Sequence, residues 1–168
     1  MSKQYVTSID FMKEVIITSE MRQRAKYISD QYKNKLTDSI RNGEGTFAGS
    51  LGEEMVLAEF PFVKRANTYN FDCLFGDKRL EVKTKERSVM PLPHYDASVN
   101  KVHGKQQADF YIFTSILKNF ERGWIIGYIK TDIFWELAEL KTGHESNMKN
   151  PFAANTYNLP YCQLLSFK

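Results

Sequence analysis

Hydrophobic positions recur along the chain in two rhythms. Residues 13–18, KEVIIT, are short and β-branched, as a strand requires. After them, Met21, Ala25, Ile28 and Tyr32 fall on one face of a helix that runs to about residue 34, with Thr18 or Ser19 as its cap. Residues 37–49 hold three glycines and read as a loop. A second helix is expected over about 50–60, ended by Pro61. Two short strands follow, at about 68–75 and 78–85. The segment 86–107 carries two prolines and two histidines, with a short helix expected at 96–103. Residues 108–116 and 124–130 are aromatic and β-branched strands joined by the polar loop NFERG. A helix is predicted over 131–140 with Thr131 as its cap, then a loop rich in Asn, Lys and Gly over 141–158, and a last stretch at 161–167 that can close the sheet. Strands and helices alternate irregularly, which predicts a mixed α/β (α+β) fold: a central mixed β-sheet flanked by helices. One domain is expected over 1–168, with a strand and helix (1–45) packed on a core at about 46–140 and a C-terminal segment at 141–168.

Composition narrows the class without naming a function. The chain has 168 residues, 42% hydrophobic and 26% charged, ordinary for a globule that needs no staple. No apolar run approaches the ~18 residues of a membrane span, so no membrane partner is expected. The two cysteines, Cys73 and Cys162, both fall in expected strands and read as small buried hydrophobes. His94, His103 and His144 show no metal spacing with them. The start of the chain lacks the basic-then-apolar pattern of a leader, so a reduced, cytoplasmic compartment is expected. The net charge of +3 permits a polyanionic partner without demanding one. The 12 Phe, 9 Tyr and 2 Trp are in excess; Phe110, Tyr111, Phe113, Tyr128, Phe134 and Trp135 lie on strand or helix patterns and are expected in the core rather than on a stacking surface.

The chemistry lies in residues 68–85, TYNFDCLFGDKRLEVKTK. Gly76-Asp77 is a two-residue hairpin signal, and such a turn fixes register. Phe75 then faces Lys78, Leu74 faces Arg79 and Cys73 faces Leu80; continued, the same register sets Phe71 against Val82, Asp72 against Glu81 and Asn70 against Lys83. One face is apolar. The other sets two carboxylates against each other, which destabilises a hairpin. A divalent cation between them removes the penalty, and oxygen-only ligation suits Mg²⁺ or Mn²⁺. Lys83, two residues beyond Glu81, projects from the same face and can orient a nucleophile or offset negative charge. A solvated face on which Lys83 and Arg79 neutralise the carboxylates diagonally is the structural alternative. Upstream, GSLGEEMVLAEF opens the second helix with Glu53 and Glu54 in its first turn. Ser50 and Glu53 fit a capping box; equally, Glu53, with Glu54 as the alternative, can reach toward Asp72 and Glu81.

A glutamate in a helix, then an aspartate, then Glu81-Val82-Lys83 on the following strand resembles the PD-(D/E)XK nuclease superfamily, with SIRNGEGTFAGSLGEE, YNFD, EVKTK and QQADFYIF similar to small phage and prokaryotic members. The likeness spans about residues 45–116, and Phe71 stands where the family usually has proline. The resemblance implies a restriction-endonuclease-like core and a Mg²⁺-dependent endonuclease acting on DNA, with Mn²⁺ as a substitute. It implies Glu53, Asp72, Glu81 and Lys83 as catalytic residues, and Asp72, Glu81, Glu53 and the Val82 carbonyl as metal ligands. Residues 78–105 hold seven Lys and Arg against three acids, which suits phosphate contacts. Lys85, Arg87, Lys101 and Lys105 are candidates, with Gln106 before the next strand and His94 and Tyr95 on a loop that can cover the cleft; Asn42 and the glycines of 43–49 are weaker candidates for the same cleft. A structure-selective or weakly sequence-specific enzyme of DNA processing, recombination or repair fits the length best, in a prokaryotic cell or phage-infected host. A catalytically inactive nucleic-acid-binding subunit and a sequence-specific restriction enzyme are the alternatives. Cutting both strands requires two sites, hence a homodimer.

Overall fold

A computed structural model describes residues 12–32, 46–66, 68, 70–100, 107–141 and 155–167. The chain opens with β1 (Lys13–Ile16) and α1 (Ser19–Tyr32). Thr18 caps α1, its Oγ1 accepting the Met21 N–H at 3.2 Å. Met21, Ala25 and Ser29 form the buried face. The next helix, α2 (Thr46–Glu59), begins earlier than expected, because Phe47 packs edge-on against Phe120 at 5.0 Å and Ala48 is buried. Ser50 is therefore a buried residue of the helix interior, and its capping box with Glu53 does not form.

Five strands follow: β2 (Val63–Arg65), β3 (Cys73–Phe75), β4 (Lys78–Arg87), β5 (Asp96–Asn100) and β6 (Phe110–Leu117). The last elements are β7 (Arg122–Lys130), α3 (Thr131–Leu137), β8 (Glu139–Lys141), β9 (Thr156–Pro160) and a 3₁₀ turn, Tyr161–Gln163. Residues 96–100 are strand rather than helix: Ala97 and Val99 alternate inward, and β9 supplies the hydrogen-bonding partner. Part of the expected 141–158 loop is that partner. Thr131 does not cap α3; its Oγ1 donates to the Ala108 carbonyl at 2.8 Å, tying the helix to the start of β6. The C-terminal stretch adds no full strand: Leu165 makes a single antiparallel bridge to Tyr128, beyond the end of β1. Cys73 is buried as expected, but Cys162 lies in the 3₁₀ turn and is exposed.

The mixed α/β architecture has a six-stranded sheet ordered β1-β7-β6-β4-β3-β2 and a three-stranded sheet ordered β5-β9-β8. Within the large sheet β4 and β6 are parallel and the other pairs antiparallel. Both faces of its centre are covered, so alternate residues of the central strands feed two cores. Leu80, Val82, Ile112, Ile116 and Ile125 join Met21, Ala25, Leu51 and Met55 under the helices. Tyr111, Phe113, Trp124 and Ile126 join Ala97, Val99, Phe134 and Leu159 under the small sheet and α3. The aromatics expected inside are there: Phe134 meets Tyr111 edge-on at 5.3 Å, while Phe110, Tyr128 and Trp135 pack at the margins. Among the described residues, no helix is long and apolar enough to cross a membrane.

Candidate active site

The β3–β4 hairpin turns on Gly76, which adopts φ +59°, the left-handed value that glycine supplies at the first position of a II′ turn. Phe75–Lys78, Leu74–Arg79 and Cys73–Leu80 pair as the turn length dictates. Regular pairing stops there. The Asp72 N–H donates to the Leu80 carbonyl at 3.0 Å, and Asp72 Oδ2 accepts the Val82 N–H at 2.8 Å. The expected ladder pairs Phe71–Val82, Asp72–Glu81 and Asn70–Lys83 are thus replaced by a side-chain bond that spans the end of the ladder. Asp72 still lies beside Glu81, because it is held to the very next residue.

Glu81 is 5% exposed, and its Oε1 accepts the Lys83 ammonium at 2.8 Å. Parallel pairing sets Glu81 beside Tyr111 and Lys83 beside Phe113, so both project toward the second core while Leu80 and Val82 face the helices.

Glu53 arrives from the other side of the sheet. A methyl group at Gly52 would overlap the Thr84 hydroxyl, so only glycine lets α2 lie this close to β4. Glu53, the next residue, pairs with the Arg65 guanidinium from β2. Glu54 is 4% exposed and takes two cations, Arg65 Nη2 at 2.7 Å and Arg24 Nε at 2.7 Å. Glu54 thus acts as an anchor between α1, α2 and β2. Glu53 is the helical acid that feels the strand carboxylates.

Burial and like charge both act on the acids of this corner. Burial and the neighbouring Glu81 and Glu53 carboxylates push the Asp72 carboxyl well above the usual range, against the Val82 amide and Lys83, which pull it down. Burial raises Glu53 to about 7, with Glu81 and Glu54 adding to the rise and Arg65 opposing it. The same burial and the neighbouring carboxylates push the Cys73 thiol up to about 12, so it is inert at neutral pH. Among the described residues no group of three or more His, Cys, Asp or Glu side chains is placed to hold a metal ion. The oxygens that could serve there are the Asp72 and Glu81 carboxylates and the carbonyl of Val82, the residue whose N–H Asp72 accepts. Two carboxylates and a carbonyl are the sparse oxygen set that Mg²⁺ accepts, since it keeps several of its waters.

Along the same face of β4 the row runs Arg79, Glu81, Lys83, Lys85, Arg87. Arg79 does not neutralise the site acids: it forms a bidentate pair with Asp109 at 3.0 and 2.8 Å, which holds that carboxyl down to about 2. A cleft of about 510 Å³ opens beside this pair, lined by Lys78, Gln107, Lys130 and Asp132 among others. At the other end Lys85 reaches Ser98 Oγ at 3.0 Å, and the Arg87 guanidinium lies 4.5 Å over the Tyr95 ring. Tyr95 is therefore half-buried beneath a cation, and His94 beside it is exposed. Lys101, Lys105, Gln106, Asn42 and His103 lie outside the described residues.

Arg65, Arg24 and Lys141 are part of these charge clusters, yet nothing in their sequence surroundings marks them. Each belongs to a different element from the acid it serves, and only the packing brings them there. Arg65 and Lys141 each end a three-residue strand, too short to show a pattern, and Arg24 is one of several basic residues on α1.

No family model matches the chain, and no curated protein matches it. Among solved structures, a Holliday junction resolvase from the archaeal hyperthermophile Archaeoglobus fulgidus is similar over 67% of this chain and 83% of its own, at 12% identity and a TM-score of 0.34.

Proposed function

We propose that the protein is a Mg²⁺- or Mn²⁺-dependent DNA endonuclease of the PD-(D/E)XK kind, structure-selective or weakly sequence-specific, serving DNA processing, recombination or repair. One observation carries the reading: Asp72 and Glu53 are both pushed up by burial with the Glu81 carboxylate adding to each, and a lysine is bonded to Glu81. Folding alone gains nothing from like charges so placed. A divalent cation converts that repulsion into binding energy.

Asp72, Glu81 and the Val82 carbonyl would hold the ion, with Glu53 beside them. When bound, it supplies positive charge that polarises a phosphodiester and lowers the proton affinity of water. Lys83 keeps one donor on Glu81 and has the others for an attacking water or a phosphoryl oxygen as charge develops. Arg65 fixes the Glu53 carboxylate, Glu54 fixes Arg65 in turn, and Arg24 holds Glu54. The site acts on one strand, so cutting both requires a second copy.

The test is cleavage of linear, supercoiled, nicked, single-stranded and branched DNA with Mg²⁺ or Mn²⁺. Cleavage is expected in wild type, with loss in Asp72→Ala, Glu81→Ala and Lys83→Ala at unchanged circular dichroism. Cleavage persisting in all three variants removes the site assignment. A second reading, a non-catalytic nucleic-acid-binding subunit, is favoured by one feature: Glu53 and Glu81 each already have a protein cation, Arg65 and Lys83. Metal-independent DNA binding with no cleavage of any form selects it.

A further inference from the structure

The β4 row is acidic at Glu81 and turns cationic beyond Lys83. Among the described residues, the charged groups acting on the Lys85 ammonium are Arg87, Lys141 and Asp96, so three cations share one carboxylate there. That carboxylate is already taken, because Lys141 Nζ lies 2.5 Å from Asp96 Oδ2. Among the described residues, Lys85 bonds neutral oxygens, Ser98 Oγ at 3.0 Å and the Asp96 carbonyl at 3.4 Å. Arg87 gives Nη2 to the Tyr161 hydroxyl at 3.1 Å, while its Nε is buried with no hydrogen-bond partner among the described residues. Burial and the neighbouring Arg87 lower Lys85 to about 8. Excess charge and an orphaned donor in a half-buried place are costly unless an anion completes them.

The far end of the row is closed. Tyr161 is 2% exposed, and its N–H bonds the Tyr95 carbonyl at 2.8 Å, while the Cys162 N–H bonds that of Pro93 at 2.9 Å. Arg87 lies between the Tyr95 and Tyr161 rings, 4.5 and 5.5 Å from their centroids. A strand laid along β4 from Lys83 meets Lys85 and then Arg87 at steps of roughly 6.7 Å, and there it meets a wall. An internal phosphodiester carries one negative charge and continues in both directions. A terminal phosphate monoester carries close to two at neutral pH and ends.

We propose that Lys85, Arg87 and Lys141 form a pocket for the phosphate monoester at the end of a nucleic-acid strand, so that the protein engages phosphorylated DNA ends. The placement of the strand along β4 rests on the nuclease reading above; the charge excess does not.

The test measures binding of labelled single-stranded and nicked oligonucleotides bearing 5′-phosphate, 3′-phosphate or only hydroxyl ends, in EDTA, by anisotropy. One phosphorylated end is expected to bind about ten- to a hundred-fold tighter than the hydroxyl end. Lys85→Met and Arg87→Met should abolish that ratio and Lys141→Met should reduce it, whereas Glu81→Gln should retain it. The Lys141 side chain is 44% exposed, so its variant keeps the test decisive if a more buried substitution unfolds the protein. Equal binding of phosphate and hydroxyl ends, or a ratio surviving in every variant, overturns the pocket. Inorganic phosphate competing as strongly as a phosphorylated oligonucleotide makes the ligand free phosphate and overturns the strand-end assignment. End preference without Mg²⁺- or Mn²⁺-dependent cleavage overturns the nuclease reading alone, and cleavage without end preference overturns the pocket alone.

Discussion

Asp72 turns its carboxylate onto the backbone N–H of Val82, 2.8 Å away, across the end of the β3–β4 ladder. One side chain thereby does two things. It satisfies an amide that the ladder leaves open, and it sets an acid beside Glu81. The first role is structural and needs only an acceptor; the second needs a charge.

These roles separate by substitution. Asp72→Asn keeps an acceptor for Val82 and removes the charge. Asp72→Ala removes both and strands the amide, a loss of about 1–3 kcal/mol. Urea unfolding without divalent metal is expected to rank Asp72→Ala below Asp72→Asn by that amount. Both variants should be inactive in DNA cleavage. Equal stability of the two would mean that Val82 does not depend on this bond.

Glu53 makes stability depend on pH in a stated direction. Its folded carboxyl titrates at about 7, above its ordinary 4.5, chiefly through burial. Between these values the native state holds more protons than the unfolded chain, so stability falls as pH rises. The contribution is complete below the ordinary value and lost once pH passes the folded one. Chemical denaturation from about pH 5 to pH 8 in EDTA should show this decline, and Glu53→Gln should flatten it. Asp72, also raised, adds a slope of the same sign.

A divalent ion should act against that slope. Protons and Mn²⁺ compete for the same carboxylates, so the ion binds better as pH rises. At a concentration about a hundred times its Kd, Mn²⁺ should stabilise the fold by about 2.7 kcal/mol. The melting temperature is expected to rise more at about pH 8 than at pH 5.5. Asp72→Asn and Glu81→Gln should remove the effect. An equal rise in both variants would place the ion elsewhere.

Gly52 offers a sign test. In an exposed helix, glycine to alanine stabilises by up to about 1 kcal/mol. Here the added methyl meets the Thr84 hydroxyl, so Gly52→Ala should destabilise by about 1–3 kcal/mol. The displaced helix should also move Glu53 and lower DNA cleavage. Thermal melts of Gly52→Ala and of the double variant Gly52→Ala/Thr84→Ala check this; the second substitution should recover part of the loss.

The legible parts of the sequence were those with local causes. Gly76-Asp77 set the hairpin register through the three pairs nearest the turn, because a two-residue loop leaves no slack. The runs that became β6 and β7 were continuous enough to read as buried strands. Of the repeat Met21, Ala25, Ile28 and Tyr32, the first two are buried and the last two half-buried, with Ser29 completing the buried face of α1. The illegible parts had distant causes. β2, β5, β8 and β9 are three to five residues each and exist because a neighbour pairs with them. The start of α2 moved because Phe47 finds Phe120 far along the chain.

By itself the sequence determined a mixed α/β chain, a tight hairpin and a Glu81-x-Lys83 pair on one strand face, which follow from hydrophobic periods and a two-residue turn. Tertiary structure alone decided which charges answer which. Arg79 went to Asp109, Arg65 to Glu53 and Glu54, and Lys141 to Asp96. The reason is physical: a charge's partner is the nearest opposite charge in space once water is excluded, and in all these pairs nearness came from packing of separate elements, not from the order of residues.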